Sequence, residues 1–519
     1  MNVNTKSTIS KAAAIVAVFT LLSRLVGLFR DRMFASTFGA GDTLDSYYVA
    51  FRIPDLVYNF LILGTLSVSF IPVFTEYFIE DKEEANRMAN TVLTFLFVAM
   101  SIICIVLFFF VPQFTHLTAP GFTGQKFANT VLLTKIFLLS PVIFTIASVF
   151  SSILNALKRF LIASIAPILY NVGIIIGIKY FYPHFGIKGL AYGVILGACA
   201  HLLIQMFGAM SAGFKLRTNF DFKHAGVRKV AKMFLPRILG IDNAQISLLV
   251  ASIIGSTLLS GTIAVFNLAN NLQAVAVGMF GISFATAAFP DMSESYAKSD
   301  HTGFSRILAR TMTHVLFFVI PISVLILVLR AQIVRLTFGA GKFDWQATIL
   351  TANTLGIFAF SIFAQSVAPL FSRAFYSRHN TIIPVIIGLI TIVLNAVASY
   401  FFGRSMGVLG LALGFSISNI FNAGLLYLIL RPHLKDFEEG YVIKSALKIL
   451  FSSVVAGAAA YIILGMMGTV VKLDSWVHVF EQGSVAAVAG LAAFAACAHA
   501  LGMSQIKTTF SVVKSRILR

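Results

Sequence analysis

Charge is scarce in this chain. Only 11% of its 519 residues are Asp, Glu, Lys or Arg, against 58% that are hydrophobic. A soluble globular domain carries about 25% charged residues. So few charges cannot cover a water-facing surface, which excludes a soluble protein and makes a bilayer the principal solvent. Acid is scarcer still, with 20 Asp and Glu against 39 Lys and Arg and a formal net charge of +19. A basic balance would suit nucleic acid, but the Lys and Arg fall in short loops between apolar runs. No basic, aromatic-interleaved soluble domain exists to carry such binding, so nucleic acid is excluded as a partner. There are three cysteines, Cys104, Cys199 and Cys497, all inside apolar segments. With no paired spacing and no neighbouring His, they imply neither a disulfide framework nor a metal centre. A Walker A pattern is also missing, which removes ATP hydrolysis as a power source.

What the chain does have is apolar length. Runs of about 20 residues or more lie at 12–38, 44–74, 91–112, 130–157, 161–182, 187–213, 236–259, 262–290, 307–329, 346–372, 381–402, 406–430, 444–467 and 480–503. The sequence therefore predicts an all-α polytopic membrane protein with about fourteen spans, the first of them an uncleaved helix rather than a signal peptide. Lys and Arg collect in alternate connections: Lys6 and Lys11, Lys158 and Arg159, Lys215 to Lys232, Arg373 and Arg378, Arg431 and Lys435, and Lys507 to Arg519. The other connections hold only scattered cations such as Arg335, Lys342, Arg404 and Lys472. The positive-inside rule then places both termini in the cytoplasm.

The chain also repeats itself. GIKGLAYG at Gly186–Gly193 and GVLGLALG at Gly407–Gly414 each open a span, the sixth and the twelfth, and each continues a stripe of small residues. Small residues four apart let helices approach closely in lipid. A repeat of six spans keeps its orientation, so the pattern predicts two six-helix lobes related by a parallel pseudo-two-fold, with two helices appended. The expected organisation is a first lobe at 1–213, a basic linker at 214–235, a second lobe at 236–430, and the last two spans with a tail at 431–519. Such architectures hold their substrate near the midplane between the lobes.

Polar residues trapped within spans are the candidate site. Arg24 lies about 20 Å along the first helix from Lys11, where an isolated arginine costs at least about 2.5–3.5 kcal/mol and should face a partner or a wet cavity. At 100° per residue, Ser23, Arg24, Gly27, Arg30 and Asp31 share a stripe about 120° wide. The second span repeats the pattern with Asp45, Arg52 and Asn59, and Pro54 predicts a kink after Arg52. Three arginines in a low-dielectric surround suit a phosphate or diphosphate, which a guanidinium grips with two donors. In the second half, Arg237 and Asp242 open span seven, and Asn267, Asn270 and Asn271 place amides in span eight. His201, His314 and His499 read as core or interface residues. Asn395 in span eleven is a single amide that could help ligate a sodium ion.

SRLVGLFRD (Ser23–Asp31) followed by FGAGDTLDSYYVAFRIPD (Phe38–Asp55) and SFIPVF (Ser69–Phe74) resembles the signature of the MurJ/MviN family, in the superfamily that also holds multidrug antiporters and polysaccharide flippases. The resemblance implies a bacterial inner-membrane flippase that moves lipid II, an undecaprenyl diphosphate bearing a disaccharide pentapeptide, from the cytoplasmic to the periplasmic leaflet by alternating access. It implies that Ser23, Arg24, Arg30, Asp31 and Asp45 belong to the functional set. It further implies that the last two helices help hold the prenyl tail, and that cell-wall synthesis enzymes are partners. Two departures stand out. Tyr58–Asn59 occupies the place of the family's usual Arg-Arg pair, with Leu63 where an acid precedes Gly64, and Asn270–Asn271 replaces Asp-Arg. Arg237 is positioned to restore some of the lost charge. No cofactor is expected; a coupling cation or the membrane potential would drive transport. The alternatives are a flippase for another polyprenyl-linked glycan and a cation-coupled multidrug antiporter, which would favour an acidic, aromatic cavity. A membrane glycosyltransferase or ligase is disfavoured by short outer loops poor in acids.

Overall fold

In the computed structural model of the chain, residues 3–62, 66–221, 223–238, 243–470, 475–503 and 505–506 are described, and among them no strand forms. Leu63, Gly64 and Asp242 lie outside these residues, as does the side chain of Arg237, although its backbone closes a helix. The helices of the first half are α1 (Val3–Phe38), α2 (Asp42–Ala50), α3 (Arg52–Leu61), α4 (Leu66–Glu80), α5 (Lys82–Phe109), α6 (Val111–Thr118), α7 (Gly124–Phe137), α8 (Leu139–Ala156), α9 (Phe160–Ile176), α10 (Tyr182–Phe185), α11 (Ile187–Ser211), α12 (Ala225–Ile238) and α13 (Asn243–Gly255). They continue with α14 (Thr262–Ala276), α15 (Ser283–Ala297), α16 (His301–Phe338), α17 (Trp345–Ala359), α18 (Ile362–Ser377), α19 (Ile382–Met406), α20 (Val408–Leu430), α21 (Glu439–Val470) and α22 (Trp476–Ala500).

Short polar side chains start several of these helices by satisfying first-turn amides that have no partner within the helix. Asp81 accepts from the Glu83 and Glu84 amides, Asp300 from Gly303, Asp344 from Ala347 and Ser475 from His478. Ten helices among the described residues are long and apolar enough to cross a membrane, and the pair α17–α18, bent by 45°, makes an eleventh. The remaining three expected spans fall on α1, on α2–α4 and on α12–α13. Span two is broken because Pro54 has no amide hydrogen for the Ala50 carbonyl, so α2 ends there and α3 begins at Arg52.

The chain forms two compact units, 1–263 and 264–519. The division falls later than the lobe boundary expected at 236. The reason is packing: α12 lies on α4 and α5, and α13 on α3 and α6, all in the first unit. That unit holds a core of Phe70, Phe74, Met88, Phe150 and Leu154 with smaller neighbours. The second is built around α16, against which α15, α17, α18, α21 and α22 pack, with Phe304, Phe371 and Phe375 at its centre. The two appended helices are thus seated on α16. Gly457 lies against Val324, and Gly490 lies against Leu325 and the Ala456 carbonyl.

The repeat is visible as the same corner built twice. Gly186 (φ 56°, ψ −142°) precedes α11 and Gly407 (φ 60°, ψ −134°) precedes α20. Positive φ at both makes glycine the residue of choice there. Three residues on, Gly189 abuts the Phe181 carbonyl and Gly410 the Phe402 carbonyl, each eight residues back along the chain, so that a Cβ would collide with main chain. Further along, Gly193 and Gly197 meet Gly177 and Gly173 of the preceding segment.

Candidate functional site

The first unit contains three polar clusters on α1–α3. On α1, Gly27 lies beside the Asn171 side chain of α9, and one turn later Arg30 donates from Nη1 to Asn171 Oδ1 at 2.9 Å. The same guanidinium donates from Nε and Nη2 to Asp31 Oδ1 at 3.0 and 2.7 Å. Asp31 is only 2% exposed, so a buried carboxylate is neutralised by the arginine next to it in sequence. Arg30 therefore brings less net charge to the site than the helical wheel implies. Ser23 and Arg24 are half-buried on the same helix, nearer its N-terminal end.

The second cluster sits at the far end of α1, where α2 begins. Lys126 of α7 donates to Asp45 Oδ2 at 2.8 Å and reaches Asp42 Oδ1 at 2.6 Å. Asp45 Oδ2 also accepts the Gly261 amide at 2.8 Å, and Asp42 Oδ1 accepts from Ser260 Oγ at 2.7 Å. Two acids one helical turn apart thus tie α2 to α7 and to the loop before α14. Both lie in the first turn of α2, where the helix dipole also favours negative charge. The Asp42 carboxyl is held below its ordinary range: partial burial acts to raise it, but the bonds from Lys126 and Ser260 and the lysine charge prevail. Close approach completes the clasp. Gly261 (φ 84°) lies against the Ala40 carbonyl and Gly121 against the Ser256 carbonyl, leaving no room for a Cβ at either. Asp45, expected as a substrate ligand, is here a structural clasp. Lys126, which sequence reasoning missed, is its centre; only its place four residues before Thr130 on an apolar helix hinted at a buried role.

The third cluster is Arg52, 6% exposed at the start of α3, whose Nε donates to Ser252 Oγ of α13 at 2.7 Å. Ser252 in turn donates to the Leu248 carbonyl at 2.9 Å. The two neutral residues in place of the arginine pair are both engaged: Tyr58 Oη lies 2.7 Å from Ser148 Oγ, and Asn59 Nδ2 donates to the Asp55 carbonyl at 2.7 Å.

In the second unit, the expected amides form a relay. Gln273 donates to Asn270 Oδ1 at 3.0 Å, Gln365 donates to Gln273 Oε1 at 2.9 Å and to Ser361 Oγ at 3.0 Å, and Ser361 donates to Ser416 at 3.1 Å. This chain links α14, α18 and α20. Asn267 is buried and Asn271 half-buried on the same helix. Asn395, 1% exposed, accepts from Ser399 Oγ at 3.0 Å, which uses one lone pair of its amide oxygen and leaves the second. Among the described residues, no group of three or more His, Cys, Asp or Glu is placed to hold a metal ion.

The family model described as lipid II flippase MurJ matches residues 34–480. A probable lipid II flippase MurJ of Buchnera aphidicola is 30% identical over 417 residues, covering 79% of this chain and 81% of the relative. The lipid II flippase MurJ of Burkholderia cenocepacia is 26% identical over 430 residues, covering 81% and 83%. Among solved structures, a lipid II flippase MurJ in an inward closed conformation superposes with a TM-score of 0.75 at 22% identity, covering 94% of this chain and 99% of that one. An inward-facing multidrug resistance MATE family transporter of the MOP superfamily gives 0.66 at 15% identity, covering 82% and 99%.

Proposed function

We propose, on the premise that this chain belongs to the MurJ family, that it is a lipid II flippase: a multi-pass membrane transporter, not an enzyme, that carries an undecaprenyl-diphosphate-linked peptidoglycan precursor across the inner membrane by alternating access. The observation that carries this reading is the stretch from Ser23 to Pro54. It sets Arg24, Arg30 and Arg52 on helices of an apolar bundle, within a chain that matches the family over most of its length. A guanidinium in such a surround binds a diphosphate far more strongly than in water, because the local dielectric is low and two donors meet two oxygens.

In this reading both termini are cytoplasmic, as the distribution of Lys and Arg requires, and the substrate enters from that leaflet. The membrane potential or a cation gradient supplies the driving force, and cell-wall synthesis enzymes take the product on the outer face. Ser23, Arg24 and Arg52 contact the diphosphate, Arg237 adds charge at the cytoplasmic mouth, and Asn270 and Asn271 serve the head-group sugar. A flippase for a different polyprenyl-linked glycan is the second reading. It is favoured by Tyr58–Asn59 and Asn270–Asn271, which put neutral hydrogen-bonding groups where relatives of this kind carry charge.

The test is complementation in cells depleted of their own lipid II flippase, with membrane levels matched by immunoblot. Rescue by the wild type and failure by Arg24→Ala and Arg52→Ala supports lipid II transport through an arginine-lined path. Full rescue by both variants refutes the assigned roles, and a correctly inserted wild type that never rescues shifts the substrate to another glycan.

A further inference from the structure

One turn beyond Arg52, α3 enters a cavity of about 300 Å³ bounded also by α8, α9 and α11. Its walls carry Asp55, Tyr58 and Asn59 from α3, Ser140 from α8, Tyr170 from α9 and His201 from α11. No role has been assigned above to Asp55, Ser140, Tyr170 or His201 of this chamber. Its most unusual member is Asp55. The main chain of Asp55 is satisfied, with its amide bonded to the Phe51 carbonyl and its carbonyl to Asn59 Nδ2. No hydrogen bond or ion pair reaches its carboxylate among the described residues. The side chain is half-buried, and a carboxylate with no donor against it gains less from being charged than a hydrogen-bonded one.

The other walls fit a proton rather than a larger ion. Among the described residues no second carboxylate, and no His, Cys, Asp or Glu group of metal-binding size, stands with Asp55. The charged and titratable groups that bear on it are few. Arg52 and Tyr58 come from its own helix, Tyr170 from α9 and His201 from α11. Arg30 of α1 reaches the region through Tyr170. Helix α8 offers only neutral hydroxyls, Ser140 and Ser148, and α13 brings Ser252 against Arg52. The ring of His201 is held by Gln205 at 3.3 Å and edge-on by Phe144. Its Nδ1 is sealed from solvent and has no hydrogen-bond partner among the described residues. With Nε2 facing the Gln205 amide and Nδ1 cut off from water, His201 is a fixed wall of the chamber rather than a proton carrier.

We infer that this chamber is a proton-binding site of the first unit, in which Asp55 exchanges the proton directly with water in the chamber. This goes beyond the transport reading and does not depend on which lipid is carried. Binding neutralises the acid that sits one turn from Arg52. By linkage, an anion that binds Arg52 and a proton that binds Asp55 must each favour the other.

The site is tested without substrate, on the full chain in lipid nanodiscs, by infrared difference spectroscopy during an acid titration. The wild type gains a protonated-carboxyl band that is missing from Asp55→Asn and returns, shifted, in Asp55→Glu. His201→Gln keeps the band, because the carboxyl and not the imidazole takes the proton; loss of the band in this variant would overturn the assignment to Asp55. Superimposable titrations of wild type and Asp55→Asn, with both proteins shown to be folded by their melting curves, would overturn the proposal. Loss of the wild-type band on adding sodium chloride at fixed pH would also overturn it, by making the chamber a monovalent-cation site. Failure of complementation alone bears on the flippase reading and leaves this result untouched.

Discussion

Removing Asp45 should cost far more than removing Asp42, although both pair with the same lysine from the same turn of helix. Asp45 is 1% exposed, and it accepts from Lys126 Nζ and from the buried Gly261 amide. In Asp45→Ala the amide is left without an acceptor, a loss of about 1–3 kcal/mol. Breaking one side of a buried ion pair costs about 3–5 kcal/mol, an upper figure here because Lys126 keeps Asp42. The two together point to about 3 kcal/mol. The Asp42 side chain is 60% exposed, so its pair is screened by water and Asp42→Ala should cost less than about 1 kcal/mol. Lys126→Ala removes the cation shared by both acids, while Asp45 keeps the Gly261 amide and Asp42 keeps Ser260, and it should equal or exceed Asp45→Ala. The assay is reversible unfolding of the purified protein in mixed micelles with increasing detergent denaturant, read by circular dichroism. Equal losses for the two aspartates, or a larger one for Asp42, would refute the burial argument.

Other outcomes follow from the same geometry. Because the folded Asp42 carboxyl sits below its ordinary value, its contribution is present above the unfolded value of about 3.9. The stability difference between wild type and Asp42→Asn should therefore hold at neutral pH and vanish as pH falls through the folded value, as read from melting curves. Arg30→Ala removes the guanidinium that neutralises buried Asp31 and should lower stability by about 3–5 kcal/mol, while the Arg30→Ala, Asp31→Ala double variant recovers part of the loss; strict additivity would argue against their pairing. Gly193→Val drives a side chain into the Gly177 backbone and should prevent normal accumulation in membranes, whereas Gly424→Ala, with open space around it, should be neutral by fluorescence-detected size exclusion.

Much of the architecture was legible because lipid leaves a backbone few options. Apolar length located the eleven spans that the described residues form as membrane-length helices, counting the bent pair α17–α18 as one, and the paired GIKG and GVLG stretches located a corner that the structure builds with matching φ at Gly186 and Gly407. Arg52 was legible as buried because a lone cation cannot be left in hydrocarbon. The clasp was not. Lys126 meets Asp45 across 81 positions and Gly261 meets it across 216, and no local pattern encodes a contact of that separation. The wheel placed Arg30 and Asp31 on one stripe, and the structure pairs them, a long guanidinium bending back to the adjacent short carboxylate. The seating of α12 and α13 on the first unit was hidden for a similar reason, since the basic stretch before them looks like a boundary by composition while the contacts that fix a boundary are apolar.

The hydrophobic cores formed by the described residues each lie wholly within 1–263 or within 264–519. Genetically, that makes the protein two genes written as one. A stop and restart introduced just after Ile263 should yield two polypeptides that each keep their own interior, whereas the same cut in the basic stretch at 214–224, where composition invites it, would strip α12 and α13 from the helices they cover.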